Sequence, residues 1–585
     1  MRLALHFVAP LAFFLTAALA RAVALEIAIH PTFDGQPLHL DSLRYNDSAG
    51  ETLSISRLSY LLSNFALERE DGGWVEIPNQ SAWMDAAQQR TIAHFNSLPP
   101  AKYRAVRFDI GLDPAANAAD PSKFPPDHPL NANLNGLSWA WQGGYIFLAL
   151  EGHYRAGSGT LNGFAYHLAR APNRTRINIT AQLDLSHDSA LLLDFDLGAL
   201  LDAPHPLSFQ RDGTATHSRP GDPVAAALVA NLPTAFHVVQ VLSTAPAISL
   251  PSSVKPLYLP ARYTPYRFAM SSTFPIPDLP RDNPLINERI ALGEKLFHET
   301  ALSRDGTISC ASCHQPASDF TDPRRFSVGV RGQIGARHAM PLFNLAWKTS
   351  YFWDGRAPSL RAQALVPIQD HTEMDETLDR VTAKLAAIPA YPPLFGAAFG
   401  SPQITAEKLG LAIEQYLLTL TSFDSKFDRA MRGQATLTLD EQRGAALFMT
   451  EYDPRTGQYG ADCFHCHGGP LFTDHQFHNN GLDPNAADPG RFRITRLEAD
   501  RDKFATPSLR NVARTGPYMH DGRFTTLQQV VAHYNNGVHR SDTLDPNIAK
   551  HPIDGLHLSA DDQRALVAFL DTLTDERFPA PPAHP

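Results

Sequence analysis

The sequence is poor in cysteine, carries no excess of positive charge, and lacks a long apolar run beyond its first residues. Its 585 residues include only four cysteines, far fewer than a disulfide-stapled secreted scaffold uses. The formal net charge is −10, so no basic surface is available for a nucleic-acid backbone. These absences exclude a disulfide framework and argue against nucleic acid as a partner.

One apolar segment does occur, at the N-terminus. Arg2 precedes a run from Leu3 to Leu19, and alanines suited to cleavage follow it between positions 20 and 24. We predict a signal peptide over residues 1–24 and a periplasmic or secreted mature protein without a membrane span. A signal anchor is the alternative, although the run is short for a membrane-spanning helix.

The length and the 43% hydrophobic content predict at least two folded domains. From residue 25 to about residue 241, apolar residues alternate along short runs, for example at Leu25, Ile27 and Ile29. A period of two, with turn residues between the runs, predicts antiparallel strands. We therefore expect residues 25–245 to form an all-β sandwich.

The pattern changes after this region. Residues 246–284 contain nine prolines, which exclude regular helix or central strand and predict a linker or an extended arm. Helical periodicity follows, with Leu409, Ile413 and Tyr416 on one face. Residues 285–585 are therefore predicted to be mainly α.

All four cysteines fall in two copies of the motif C-x-x-C-H. In this motif the cysteines form thioether bonds to a porphyrin and the adjoining histidine ligates the iron. Two covalent c-type haems are therefore predicted, and a redox cysteine pair or a zinc site would not explain a histidine after both pairs. The predicted attachment residues are Cys310, Cys313 and His314 for one haem, and Cys463, Cys466 and His467 for the other.

The residues around these motifs resemble the bacterial diheme cytochrome c peroxidase and MauG family. The resemblance runs through residues 285–540 and is carried by LGEKLF at 292–297, LSRDGTISCASCH at 302–314, FWDGRAPSLRAQAL at 352–365 and TPSLRNVARTGPYMHDGRF at 506–524. It implies an enzyme in which hydrogen peroxide reacts at the His314 haem while the His467 haem relays electrons.

The same resemblance implies roles for individual side chains. Trp353 matches the tryptophan between the two haems, where an indole that is oxidised transiently shortens the tunnelling distance. Gln363, Pro367 and Glu373 match the distal pocket of the reactive haem, and Glu373 would move a proton between the peroxide oxygens. The plainer alternatives are a core tryptophan and a surface carboxylate.

The second ligand of the relay haem is methionine in the family's peroxidases and tyrosine in MauG. Tyr534 matches that position, and Met519 is the alternative because no methionine occurs from 520 to 585. A tyrosinate favours storing oxidising equivalents across both haems, which suits oxidation of a protein side chain. Thr515 and Pro517 match calcium ligands of the family, although the segment 337–341 lacks the expected asparagine.

The first half resembles the copper-binding MbnP family. The resemblance is carried by SYLLSNFAL at 59–67 and by HPLNANLNGLSWAWQGGYIFLALEGHYRAGSGTLNGFAYHL at 128–168. In that family a separate MauG-like enzyme, MbnH, converts a tryptophan of the β protein to kynurenine, and the modified protein binds copper. The resemblance implies a fusion of the two parts, in which Trp139 or Trp141 is oxidised unless both are core residues.

Copper ligands are expected among the histidines of this half, since imidazole suits copper and the half contains no cysteine. His128 and His167 lie in the motif, and His30 and His153 are further candidates, with an ordinary hydrogen-bonded histidine as the alternative for each. Two other functions stay open. One is a diheme peroxidase that takes electrons from a small cytochrome or cupredoxin, and the other is a non-enzymatic copper-binding or electron-transfer protein.

Overall fold

The computed structural model describes residues 23–139, 144–243, 257–453, 455, 457–484 and 486–578. The predicted signal peptide, except for its last two positions, lies outside the described residues, and so does Trp141. None of the described helices is both long enough and apolar enough to cross a membrane.

The N-terminal half is built from strands, as its alternating pattern predicts. They are β1 (Val23–Phe33), β2 (Gln36–Pro37), β3 (Tyr45–Asn46), β4 (Glu51–Arg69), β5 (Trp74–Glu76), β6 (Ser81–Asp85), β7 (Ile92–Leu98), β8 (Lys102–Ile110), β9 (Ser138–Trp139), β10 (Gly144–Ala156), β11 (Asn162–Ala169), β12 (Thr175–Asp184), β13 (Ser189–Asp196), β14 (Ala215–Thr216) and β15 (Phe236–Ser243). Short helices join some of them, namely α1 (Pro114–Asn117), α2 (Ala132–Asn135), α3 (Leu197–Asp202), α4 (Phe209–Asp212) and α5 (Pro223–Asn231).

These strands form two sheets with one apolar core between them. One sheet has the order β15-β13-β1-β2, with β7 also on β1, and the other has the order β12-β8-β4-β10-β11-β14. The alternating residues Leu25, Ile27 and Ile29 are buried in that core, which confirms the strand-rich sandwich. The prediction of antiparallel strands holds for most of the described pairs and is wrong for two, because β1 pairs with β13 and β11 with β14 in parallel. Such partners are distant in sequence, so no hairpin turn imposes the antiparallel direction.

The C-terminal half is mainly helical. Its helices are α6 (Asn287–Phe297), α7 (Cys310–Cys313), α8 (Leu360–Gln369), α9 (Leu378–Ala387), α10 (Tyr391–Phe399), α11 (Ala406–Thr419), α12 (Lys426–Met431), α13 (Leu439–Phe448), α14 (Phe492–Thr495), α15 (Leu527–Ala532), α16 (Pro546–Ala549) and α17 (Ala560–Asp571). Four short strands accompany them: β16 (Tyr452–Asp453), β17 (Gln458–Tyr459), β18 (Phe477–His478) and β19 (Phe504–Ala505). The predicted face of α11 is buried at Leu409 and Ile413, and Thr438 opens α13 with a capping box.

The described part of the proline-rich segment, residues 257–284, is an arm that packs on the helical half. Phe274 is fully buried, the indole nitrogen of Trp347 donates to the carbonyl of Pro275 at 2.7 Å, and Arg289 donates to the carbonyl of Tyr258. This part of the chain therefore does not swing free between the halves.

The two halves meet along β10 and β11. An apolar cluster at this interface contains Trp83, Trp139 and Phe147 of the β half and Phe464 and Phe569 of the helical half. Polar contacts surround it: His153 Nε2 bonds the carbonyl of Leu544 at 2.7 Å, and Asn547 Nδ2 donates to Glu151 Oε2 at 3.0 Å. The interface thus brings imidazole and indole side chains of the β half and the second haem motif of the helical half into one region.

Candidate haem and metal centres

The first C-x-x-C-H motif forms the short helix α7 and the residue after it. Ser309 and Ser312 close a capping box on this helix. His314 Nδ1 donates to the carbonyl of Phe320 at 3.1 Å, which leaves Nε2 to act as a ligand. Burial lowers the pKa of His314 to about 4, so the imidazole is neutral, as iron ligation requires.

The second motif repeats this arrangement without a regular helix. Residues Cys463–His465 form a single tight turn, and His467 Nδ1 donates to the carbonyl of Phe472 at 3.2 Å. Burial lowers the pKa of His467 as well. All four cysteines are free thiols. The donor set at both motifs, two thiols and an imidazole oriented by a backbone carbonyl, therefore fits a covalent c-type haem.

Glu373 lies beside the first motif. Burial, followed by the charge of Asp370, raises the pKa of Glu373 to about 7. Burial also raises the pKa of the Cys310 thiol to about 12, and the Glu373 carboxylate adds to that shift. A carboxyl group that titrates near neutrality beside the predicted peroxide-reactive haem is suited to general acid–base work.

The other predicted distal residues, Gln363 and Pro367, lie one turn apart on α8. Backbone bonds hold the loop that carries Glu373 against the end of this helix, since Met374 N donates to the carbonyl of Pro367 at 3.2 Å and Glu376 N to that of Ile368 at 2.8 Å. The three predicted distal residues thus belong to one helix and the loop after it.

Trp353 lies between the segments that hold the two histidines. Its indole nitrogen donates to the carbonyl of His338 at 2.9 Å, and its own carbonyl accepts from Ala505 N at 2.8 Å. The chain just after His338 contacts the His314 imidazole through the Met340 backbone. The chain just after Ala505 contacts His467 through the Pro507 backbone. Trp353 is therefore hydrogen-bonded to the segment beside His314 and to the segment beside His467.

A cavity opens between the same two segments. Its lining includes Met340, Lys348, Leu471, His475 and Pro507. Burial lowers the pKa of Lys348 to about 8 and, with the charge of Lys348, that of His475 to about 4. These nitrogen groups are available to hold the carboxylates of a haem.

Tyr534 lies near the second motif. The chain continues from α15 into a single π-turn, His533–Gly537, a feature that is frequent at functional sites. Burial raises the pKa of Tyr534 to about 12, a hydrogen bond from Asn480 opposes the shift, and the charges of Cys466 and Cys463 add to it. The hydroxyl accepts from Asn480 Nδ2 at 3.2 Å.

The alternative ligand Met519 lies close to the same asparagine side chain. Asn480 Nδ2 also contacts Met519 Sδ at 3.5 Å, so one amide touches both candidate ligand atoms. Met519 has φ +74°, a left-handed conformation that is uncommon for a residue with a side chain. Both candidate ligand atoms therefore lie beside one amide, and the choice of Tyr534 depends on its match to the MauG ligand position in the sequence.

The predicted calcium ligands lie on one short stretch. Thr515 is buried, and its hydroxyl donates to the carbonyl of Val512 at 3.4 Å. Pro517 follows in a cis peptide bond with Gly516. Calcium at Thr515 and Pro517 stays a prediction.

Trp139 lies at the interface of the two halves. Its ring stacks on His217, with centroids 4.9 Å apart and planes 18° apart, and meets His167 edge-on at 5.7 Å. On the other side its centroid lies 6.2 Å from that of Phe464, which belongs to the second haem motif. The predicted oxidation site in the β half therefore contacts the haem-attachment loop directly.

Three imidazoles converge beside Trp139. One nitrogen from each of His167, His217 and His465 lies within 4.8 Å of the other two. Their side chains are 1%, 9% and 4% exposed, and burial lowers the pKa of all three. Buried neutral imidazoles in this arrangement can hold a transition-metal ion.

The other predicted copper candidates lie elsewhere. His128 stacks on Phe124 with centroids 4.4 Å apart, His153 bonds Leu544 across the interface, and His30 is exposed on β1. Sequence reasoning thus included His167 and missed His217 and His465. His465 had a usable signal, because it stands inside C-F-H-C-H where the first motif has Ser312.

Comparison with known proteins identifies both halves. The sequence model of the di-haem cytochrome c peroxidase family matches residues 287–436, and that of MbnP matches residues 22–218. Methylamine utilization protein MauG of Methylorubrum extorquens is 40% identical over 300 residues, which cover 51% of this chain and 81% of that protein. The chain belongs to the di-haem cytochrome c peroxidase family. Cytochrome c551 peroxidase of Pseudomonas aeruginosa, another relative, is 33% identical over 51% of this chain and 82% of its own length.

Among solved structures, a MauG-like protein associated with microbial copper homeostasis aligns with 54% of this chain and 98% of its own, at 33% identity and a TM-score of 0.49. The family assignment confirms a diheme peroxidase-type oxidoreductase with an MbnP domain at its N-terminal side. Two c-type haems follow from the family, and an association with copper follows from MbnP.

Proposed function

We propose that this diheme oxidoreductase uses hydrogen peroxide to oxidise Trp139 of its own β half to kynurenine, and that the product completes a copper site. The contact between Trp139 and Phe464 carries the proposal, because it places the indole against the loop that bears Cys463 and Cys466. Trp139 is only 7% exposed, so diffusing oxidants have little access to it. The reaction takes place outside the cytoplasm, in keeping with the predicted signal peptide.

The chain's own residues divide the work between the two haem sites. Cys310, Cys313 and His314 hold one haem, and the second motif holds the other; when bound, the haems supply oxidising equivalents drawn from peroxide. At the first haem site Glu373 would take a proton from one oxygen of peroxide and return it to the other, which would leave as water. Trp353 shortens the electron path between the two sites, and Tyr534 ligates the second.

The overall oxidation balances with two molecules of hydrogen peroxide. Each peroxide is reduced to two molecules of water at the first haem site and withdraws two electrons and two protons from Trp139. Two molecules of water supply the oxygen atoms that enter the five-membered ring of the indole and open it to N-formylkynurenine. Water then hydrolyses the formyl amide, which releases formate and leaves kynurenine with an aniline amine. That amine forms beside His167 and His217, so it adds a nitrogen donor to ligands that suit copper(I).

A peroxidase that takes electrons from a small external protein is the second candidate function. The shared contact of Asn480 with Met519 and Tyr534 favours it, since methionine ligation would weaken the storage of oxidising equivalents. The two functions differ in the fate of Trp139.

Peptide mass spectrometry of the haem-loaded protein, before and after peroxide, tests the proposal. We expect Trp139 to gain two oxygen atoms and then to lose the formyl carbon, at a rate independent of protein concentration because the contact lies within one chain. Trp83 is an internal control, since it is buried in the same apolar cluster and bonds Ser59. It should stay unmodified.

Variants assign the residues. Tyr534→Ala and Trp353→Phe should suppress the modification while the haem content stays at two per chain. An unmodified Trp139 in fully loaded, peroxide-treated protein would falsify the proposal, and so would equal oxidation of Trp83 and Trp139. Modification at Trp141 alone would contradict the choice of residue.

A further inference from the structure

His465 is the one imidazole of the three-histidine cluster that comes from the haem half. It occupies a variable position of the second haem-attachment motif, where the first motif has Ser312, so haem attachment itself does not explain a histidine there. We propose that His465 is a copper ligand, and that with His167 and His217 it forms a three-imidazole copper(I) site that spans the two halves of the chain.

The spacing of the three rings fits a single ion. His167 Nδ1 and His217 Nε2 are 3.2 Å apart. The His465 ring centroid lies 5.4 Å from that of His167 and 5.1 Å from that of His217, and the ligand atoms fall within 4.8 Å of one another. Two imidazole nitrogens that face each other at hydrogen-bond distance, with a third close by, need only small ring rotations to share an ion.

Each ring also has a carboxylate beside one of its nitrogens. Glu151 Oε1 lies 2.9 Å from His167 Nε2, and Asp462 Oδ1 lies 3.2 Å from His465 Nε2. Glu451 contacts His217 Nδ1. A carboxylate hydrogen-bonded to a ligating imidazole fixes the ring and raises its basicity, as is usual for the histidine ligands of metal sites.

These carboxylates come from both halves as well. Glu151 lies on β10 of the β half, whereas Glu451 and Asp462 belong to the helical half. Glu451 therefore orients a histidine of the opposite half. Both halves thus contribute carboxylates as well as ligands, so the site is complete only when the halves are docked.

The donor set favours copper. The rings of Trp139 and Phe464 pack against the cluster, three carboxylates lie behind the imidazoles, and Lys550 Nζ lies 3.3 Å from His465 Nε2. Imidazole donors without a thiolate suit copper. All three nitrogens are present before any oxidation of Trp139, and the kynurenine amine of the proposed function would add a fourth donor beside them.

The test uses the full chain with both haems and copper(I) alone, titrated without oxygen against a competing chelator. We expect one copper(I) per chain in the wild type. His465→Ser gives the second motif the residue of the first. It should weaken binding by at least about tenfold, since removal of a group that only hydrogen-bonds to a metal ligand can already cause that loss. His557→Ser is the matched control, because that side chain is 60% exposed; its affinity should equal the wild type's.

X-ray absorption at the copper edge counts the ligands directly. It should show three imidazoles in the wild type and two in His465→Ser, and haem content measured on both proteins verifies that attachment is unchanged. Two imidazoles in the wild type would overturn the proposal even if the variant does not fold. Equal copper(I) affinity of wild type and His465→Ser, or a site that takes zinc(II) and refuses copper(I), would also overturn it.

Trp139→Phe separates this proposal from the proposed function. The variant cannot form kynurenine and so lacks the fourth donor, but it keeps the three imidazoles. Its copper(I) affinity should be lower than that of the oxidised wild type and should fall further when His465→Ser is added. Copper binding without any oxidation of Trp139 in the wild type would refute the proposed function alone. Oxidation of Trp139 with no effect of His465→Ser would refute the shared site alone.

Discussion

At Gly163 on β11 the backbones of the two halves lie close together. A Cβ atom built there would lie 2.0 Å from the carbonyl oxygen of Pro546 and 2.9 Å from Ala549 Cβ. Since real Cβ contacts essentially never fall below 3.0 Å, Gly163→Ala requires β11 and α16 to separate by about 1 Å or more. His167, a proposed copper ligand, lies four residues further along β11.

The cost of this separation follows from the contacts it disturbs. Overpacking a tight contact costs about 1–3 kcal/mol. The neighbouring bonds from Asn547 to Glu151 and from His153 to Leu544 contribute about 1 kcal/mol each when lost. Docking of the halves should therefore weaken by about 3–5 kcal/mol, or about two to three and a half orders of magnitude in the docking constant.

Hydrogen exchange and the peroxide assay report the effect. In Gly163→Ala, amides of residues 544–550 should exchange faster, and the yield of oxidised Trp139 should fall. Gly335→Ala is the control, because an added Cβ there meets only backbone oxygens at 3.7 and 3.8 Å, an ordinary contact. Exchange and Trp139 oxidation at wild-type levels in Gly163→Ala would refute the role of this close contact.

Two further predictions concern buried carboxylates. Because the pKa of Glu373 is raised to about 7, its base form is lost below that pH, so the peroxide reaction measured by stopped-flow absorbance should slow about tenfold per pH unit there. Glu373→Gln should remove this dependence and about 10²-fold or more of the rate; a flat wild-type profile would count against it. Burial opposes the ionisation of Glu151, but Arg57 and the hydrogen bond from His167 hold the pKa of Glu151 well below 4.5. The charged carboxylate therefore stabilises the fold above pH 4.5, and this stabilisation is lost as the pH falls below that value. Glu151→Gln should lower the free energy of unfolding by about 2–3 kcal/mol at neutral pH, measured with denaturant. This is at the low end for a broken buried pair because Arg57 is 33% exposed. The difference from wild type should shrink below pH 4.5, and a constant difference would refute the linkage.

Local features of this protein were readable from the sequence alone. The haem motifs are five residues long, and their chemistry depends only on the order of cysteines and histidine. The burial of Leu25, Ile27 and Ile29 follows from a period of two, and the start of α13 at Thr438 follows from a capping box. Each of these depends on neighbours in sequence, which a sequence displays directly.

The composite site was decided by tertiary structure. His167 and His465 are separated by nearly three hundred positions, and no local pattern encodes that their rings lie 5.4 Å apart. The parallel pairing of β1 with β13 and the packing of the proline-rich arm also depend on distant partners. The sequence determined which groups could do chemistry, and only the docking of the two halves decided that Trp139, rather than another buried tryptophan such as Trp83, meets the second haem motif.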